Sequence, residues 1–204
     1  VRLPSHSLGA VAVCRDSAYG AFVTWQEGAS SSGILRAQHL GPAGDVDPQW
    51  PSTGVLVCGT PSRRSQVGLI ADGKGGAYVW WLEGVNPVAI FAQRLQPNGT
   101  LDPRWPTRGR FVGVTYGGWS PSVLEDGRGG IFLAWSSIPT YDGTLDVNTV
   151  LVSRLGPNGL NQTGWLSQNR VITLPYALHF PPALALTADD GVFVAFAAWS
   201  EDSL

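Results

Sequence analysis

Short apolar runs separated by glycine-rich turns dominate this chain, and the runs recur. Residues 75–81 read Gly-Gly-Ala-Tyr-Val-Trp-Trp, and residues 129–135 read Gly-Gly-Ile-Phe-Leu-Ala-Trp. Residues 19–25 and 190–196 are two further copies. The aromatic that ends each copy (Trp25, Trp81, Trp135, Phe196) returns at intervals of 56, 54 and 61 residues. A period of this size marks one supersecondary unit used repeatedly, with each unit unable to bury its apolar face alone.

Each unit predicts four strands. The first is an apolar run at residues 10–14, 67–70, 121–124 and 182–186. A glycine turn follows, clearest as Asp-Gly-Lys-Gly-Gly at 72–76 and Asp-Gly-Arg-Gly-Gly at 126–130. Its glycines suit the positive φ of a tight hairpin. The second strand runs to the aromatic. Ala77, Val79 and Trp81 share one face and Tyr78 and Trp80 the other, so both faces are apolar and both are covered. The third strand carries Gln38 and His39, Gln93 and Arg94, or Ser153 and Arg154, and is expected to be wetter. A Pro-x-Gly turn leads to Trp50, Trp105 or Trp165, and a fourth strand closes the unit at 55–58, 111–114 and 171–174. No stretch sustains a helical period.

Four-stranded units stacked face to face are propeller blades. The prediction is an all-β blade array of about 3.5 four-stranded blades, read as one repeat domain over residues 1–204 and incomplete at both ends. Residues 1–4 resemble a fourth strand, and the chain stops soon after a second strand. Two arrangements are open: part of a larger propeller, or a small closed ring. Either way the two terminal strands are expected at contacts with other blades or another chain, or paired with each other.

The blade pattern Asp-Gly-x-Gly-Gly-apolar-Trp, then Ala-Gln-Arg-Leu, then a glycine turn and Trp, stands here at 72–81, 92–95 and 97–105. It resembles bacterial β-propeller repeat proteins. The resemblance implies a secreted or surface protein and no particular activity.

Composition narrows the function classes. Apolar residues make up 44% with nine Trp, and charged residues only 14% with a net charge of −2, which suits a globular core and argues against a nucleic-acid surface. No apolar run approaches the roughly 20 residues of a membrane helix. Cys14 and Cys58 fall on the first and fourth strands of one unit, with two strands between them, so no disulfide is expected.

Chemistry is sparse. His6, His39 and His179 show no metal-ligand spacing, and His39 occupies the outer-strand position of Arg94 and Arg154. The acids Asp45, Asp47, Asp102, Asp142 and Asp146 form no calcium ladder. No nucleophile elbow or phosphate loop is present. Asn98 and Asn161 match the glycosylation sequon, though turn chemistry also explains Asn98. No cofactor and no metal are expected. The six tryptophans at fixed register read as core, while Trp119 breaks the register.

In such a blade the first and third turns share one end. The loop after the second strand shares the other end with the link to the next blade. The second end varies, through loops 27–33, 83–88 and 136–149 and links 59–66, 115–121 and 175–182. Loops on a rigid scaffold favour binding, so this end holds the candidates: Arg63, Arg64, Tyr116, Trp119, Tyr141, Asp142, Tyr176 and His179. Ordinary solvated loops would look the same. The expected function is a non-catalytic protein-interaction or structural module, extracellular, at the cell surface or periplasmic, and not an enzyme. Its partner is expected to be another protein or further blades. One alternative is a carbohydrate-binding propeller using Trp119 and Tyr141. A second is a propeller enzyme with its catalytic groups outside this segment.

Overall fold

The computed structural model describes residues 8–29, 32–85, 87–116, 119–137, 148–162, 165, 170–174, 177–178 and 181–199. Every regular element among them is a β-strand. Strands β1 (Leu8–Arg15), β2 (Ala21–Glu27), β3 (Gly33–Leu40) and β4 (Val55–Ser62) form one sheet in chain order. β5 (Arg64–Ala71), β6 (Ala77–Gly84), β7 (Val88–Leu95) and β8 (Arg110–Thr115) form a second. β9 (Ser122–Glu125), β10 (Ile131–Ser137), β11 (Asn148–Leu155) and β12 (Arg170–Leu174) form a third. The short strand β13 (Ala177–Leu178) precedes a hairpin of β14 (Ala183–Leu186) and β15 (Val192–Ala195), and pairs with β16 (Ala198–Trp199). This is the expected all-β blade array. The chain divides into two compact units, Val1–Val85 with Ala89–Gly113, and Asn86–Val88 with Val114–Leu204.

Turn chemistry explains the hairpins. Gly73 and Gly75 take φ of 68° and 85°, and Gly127 and Gly129 take 74° and 86°. The first and last turns lack the second of these glycines, and Tyr19 and Asp190 adopt the left-handed region there instead, each at φ 65°. The glycine that starts the second strand is needed for space. A Cβ on Gly20, Gly76 or Gly130 would stand 2.3–2.4 Å from the carbonyl oxygen of Leu40, Leu95 or Leu155.

In the first unit, Ala12, Cys14, Phe22, Leu35 and Ala37 of the first sheet pack against Val67, Ala77, Val79 and Trp81 of the second. In the second unit, Ala134, Val150 and Val152 of the third sheet are covered by Leu184, Val192, Val194 and Phe196. All seven residues of β10 are buried, as a strand covered on both faces requires. Cys14 and Cys58 are free thiols on opposite edges of the first sheet. Burial pushes the Cys14 thiol up to about 11, so it stays protonated and unreactive.

Three expectations need correction. The third strands are not wetter: Gln38, Gln93, Arg94, Ser153 and Arg154 are all buried. The two glutamines and two arginines tolerate burial because each finds partners. Gln38 and Gln93 donate to the carbonyls of Pro51 and Pro106 and accept the N–H of the next residue. The link 59–66 is not a loop, since β4 runs to Ser62 and β5 starts at Arg64. Finally, the strand ending near Trp199 finds its partner in β13 through Ala177 and Leu178. Residues 1–4 lie outside the described residues.

Trp81 and Trp135 are fully buried, whereas Trp119 is 38% exposed. Trp81→Ala and Trp135→Ala are each expected to cost about 3–5 kcal/mol, the usual loss for a large buried aromatic. Trp119→Ala should cost far less. Chemical denaturation of the three variants checks this, and equal losses would contradict the assignment.

Candidate functional site

The ends of each sheet differ in chemistry. At the turn end a cluster recurs. Asp72 opens the first turn of the second sheet and accepts the N–H of Lys74 and of Gly76, both at 2.8 Å. Its other oxygen takes Arg94 of β7 at 2.7 Å. Arg94 also reaches Asp102 at 3.2 Å and lies over the Tyr78 ring at 5.6 Å. Trp105 packs on Tyr78 with centroids 5.6 Å apart. In the third sheet, Asp126 accepts from Arg128 and Gly130 N–H, Arg154 bonds Asp126 at 3.0 Å, and its guanidinium lies over Phe132 at 4.8 Å. Gln162 stands there in place of Asp102.

In the first sheet a histidine takes the cation's place. His39 presents Nε2 to Asp16 at 2.9 Å and Nδ1 to Asp47 at 2.7 Å, and stacks on Phe22 at 4.4 Å. Burial pushes Asp16 upward, but His39 and the N–H groups of Ala18 and Gly20 outweigh it and hold Asp16 below the ordinary carboxylate range. The Gln49 N–H first, then His39, hold Asp47 low as well. These acids are spent on holding the fold. Sequence reasoning placed His39 as an outer-strand polar residue and missed its partners. The signal was there: an acid opening the first turn and a base on the third strand recur together as Asp16/His39, Asp72/Arg94 and Asp126/Arg154.

The other end carries the candidate binding residues. Arg63, the single residue between β4 and β5, is exposed. Arg64 is corrected from candidate to structural. An irregularity between Arg64 and Gln66 accompanies a buried guanidinium. It donates to the carbonyls of Gly33 and Thr60 at 2.5 and 2.9 Å, to the Cys58 sulfur at 3.1 Å, and to Glu83 at 3.2 Å. It thus ties β3 and β4 to β6. In the second unit, Tyr116 follows β8 and is half-buried, and Trp119 precedes β9 and is exposed. Nearby, the Trp135 indole donates to the Val114 carbonyl at 3.0 Å and Thr115 to the Ser136 carbonyl at 2.9 Å, which fixes the start of this segment. Arg63 and Arg64 belong to the first unit, Tyr116 and Trp119 to the second. Tyr141, Asp142, Tyr176 and His179 lie outside the described residues.

No family model matches the chain. No curated protein matches it either. A solved structure described as the crystal structure of a thermostable family-43 glycoside hydrolase is similar over 82% of this chain, at 11% identity and a TM-score of 0.42. The chain spans about half (53%) of that structure's length. The expectation that this chain is not an enzyme is corrected by that match, because the matched protein is a hydrolase. At that identity no reaction and no residue carries over to this chain.

The turn-end cluster makes two predictions. Asp16 and Asp47 have folded pKa values below their ordinary ones, so their stabilisation is full above the ordinary carboxylate range. It fades as pH falls from about 5 through the folded values. Asp16→Asn should melt lower than wild type at neutral pH and lose less on acidification, as melting temperature against pH will record. The second concerns the missing acid in the third sheet. Asp126→Ala leaves the buried Arg154 guanidinium with the Asp190 carbonyl but without its carboxylate, and should cost about 3–5 kcal/mol. Asp72→Ala leaves Arg94 with Asp102 and should cost less, which urea denaturation of the pair will compare.

Proposed function

We propose that the chain is a protein-interaction or structural module and one subunit of a larger assembly. The observation that carries this reading is where apolar surface is left out. Val11 and Val13 on β1 and Phe193 on β15 are 61%, 67% and 66% exposed, on strands whose neighbours are packed. Apolar side chains grouped on a flat sheet serve association better than solubility. The polar groups at the turn end are engaged with one another, so recognition falls to the sheet faces and to the variable end. One continuous array over residues 1–204, a surface or extracellular location and kinship with bacterial propeller repeats belong to the same proposal, the last two on the resemblance of the turn motifs alone.

A carbohydrate-binding module is the second reading. Trp119 favours it: this indole is exposed, while Trp25, Trp50, Trp81, Trp105 and Trp135 at fixed register are buried. A glycan array with wild type and Trp119→Ala separates the two. No sugar signal dependent on Trp119 is expected. Reproducible sugar binding that disappears in Trp119→Ala would replace the protein-partner reading with the glycan one.

A further inference from the structure

Sheet stacking in this chain follows one rule, visible in the strand registers. In the first sheet, Val11 lies opposite Trp25 and Val13 opposite Val23. In the second, Val67 lies opposite Trp81 and Leu69 opposite Val79. These are equivalent positions. In the second sheet that face, with Val67, Val79 and Trp81, is packed against the first sheet. In the first sheet the same face leaves Val11 and Val13 in solvent.

The opposite face obeys the same rule. In the first sheet it carries Cys14 opposite Phe22 and Ala12 opposite Thr24. The second sheet covers it, and Phe22 is 1% exposed. In the hairpin the equivalent face carries Ala185 opposite Phe193 and Ala183 opposite Ala195. There Phe193 is 66% exposed, and the three alanines are exposed too. The other face of the hairpin, with Leu184, Val192 and Val194, is packed on the third sheet.

The first sheet therefore exposes a face of one kind and the hairpin a face of the other, and the chain already joins these two kinds of face twice, once within each unit.

We propose that the β1–β2 face carrying Val11 and Val13 docks the β14–β15 face, carrying Phe193, of a second copy of this chain. The contact is head to tail: two different patches meet, so it can propagate or close into a ring. This rests on the interaction-module reading and names its partner.

Complementary variants test it. Val13→Asp spoils one face and Phe193→Asp the other, and both side chains are largely exposed, so neither change enters the core. Val11→Lys and Ala195→Lys form a second pair should either aspartate lower expression. Light scattering with sedimentation velocity should show wild type associating as concentration rises and each variant monomeric. An equimolar mixture of Val13→Asp and Phe193→Asp should recover a dimer and nothing larger, because each variant keeps one sound face. A wild type that stays monomeric throughout would overturn the proposal. So would single variants that still associate, or a mixture that stays monomeric. The glycan array is independent of all these outcomes, so a failed self-association leaves the broader reading to its own test.

Discussion

A buried carboxylate holds each of the three four-stranded sheets in register. It opens the first turn, binds two backbone N–H groups of that turn, and grips an arginine or a histidine on the third strand. Three strands are thereby tied at one end: the turn joins the first two, and the basic side chain belongs to the third. Asp72 and Asp126 do this with arginine, and Asp16 with histidine. An unpaired buried charge is costly, so the geometry must be kept once the sheet closes. The glycine after each turn follows from this constraint, since a Cβ there would strike both the third-strand carbonyl and the acid. The aromatic beneath the basic side chain and the tryptophan beyond it complete the packing.

This arrangement separates stability from recognition. The turn end is rich in charge, but its central acids Asp16, Asp72, Asp102 and Asp126 are buried and already bonded, so a ligand for them would have to break those bonds. Arg64 repeats the pattern at the opposite end of the first unit, where its guanidinium serves three strands rather than solvent. The surfaces that remain are exposed sheet faces and the variable segments around Arg63 and Trp119. They offer shape and apolar area, which suits a partner with a flat complementary face.

Much of the fold was legible because two signals coincide along the chain. Strands alternate with period two, and glycine turns recur at similar points in each unit. The doubly covered second strand could be read from Ile131, Phe132, Leu133, Ala134 and Trp135, which are apolar on both faces and buried on both. The third strand was misread because polarity was taken as exposure. Gln93 and Arg94 are polar and buried, a combination that needs partners distant in sequence: Pro106, Asp102 and Asp72. Arg64 was misplaced for a related reason. A residue beside Arg63 in a run rich in Ser, Pro and Arg looks like a loop, yet the irregularity in β5 accompanies a side chain among carbonyls that local pattern does not reveal. Among the candidates, Trp119 stood out by the break in register that it makes and Tyr116 by its place in the variable link 115–121, and neither signal names a ligand.

Stacked sheets also explain why apolar surface remains at all. A sheet packed on one face leaves the other to solvent or to a partner, and sequence change can wet a face that stays in solvent. Here the wetting is partial. Arg15 stands where the second sheet has Ala71, and alanines at 183, 185 and 195 shrink the outer face of the hairpin. Val11, Val13 and Phe193 nevertheless stay apolar, like Val67, Leu69 and Phe22 at the equivalent positions packed in the core. A face under pressure only to stay soluble would replace such side chains first, since they contribute nothing to an uncovered sheet. Their retention, beside the polar changes at the margins, is the composition of an interface core within a wetter rim.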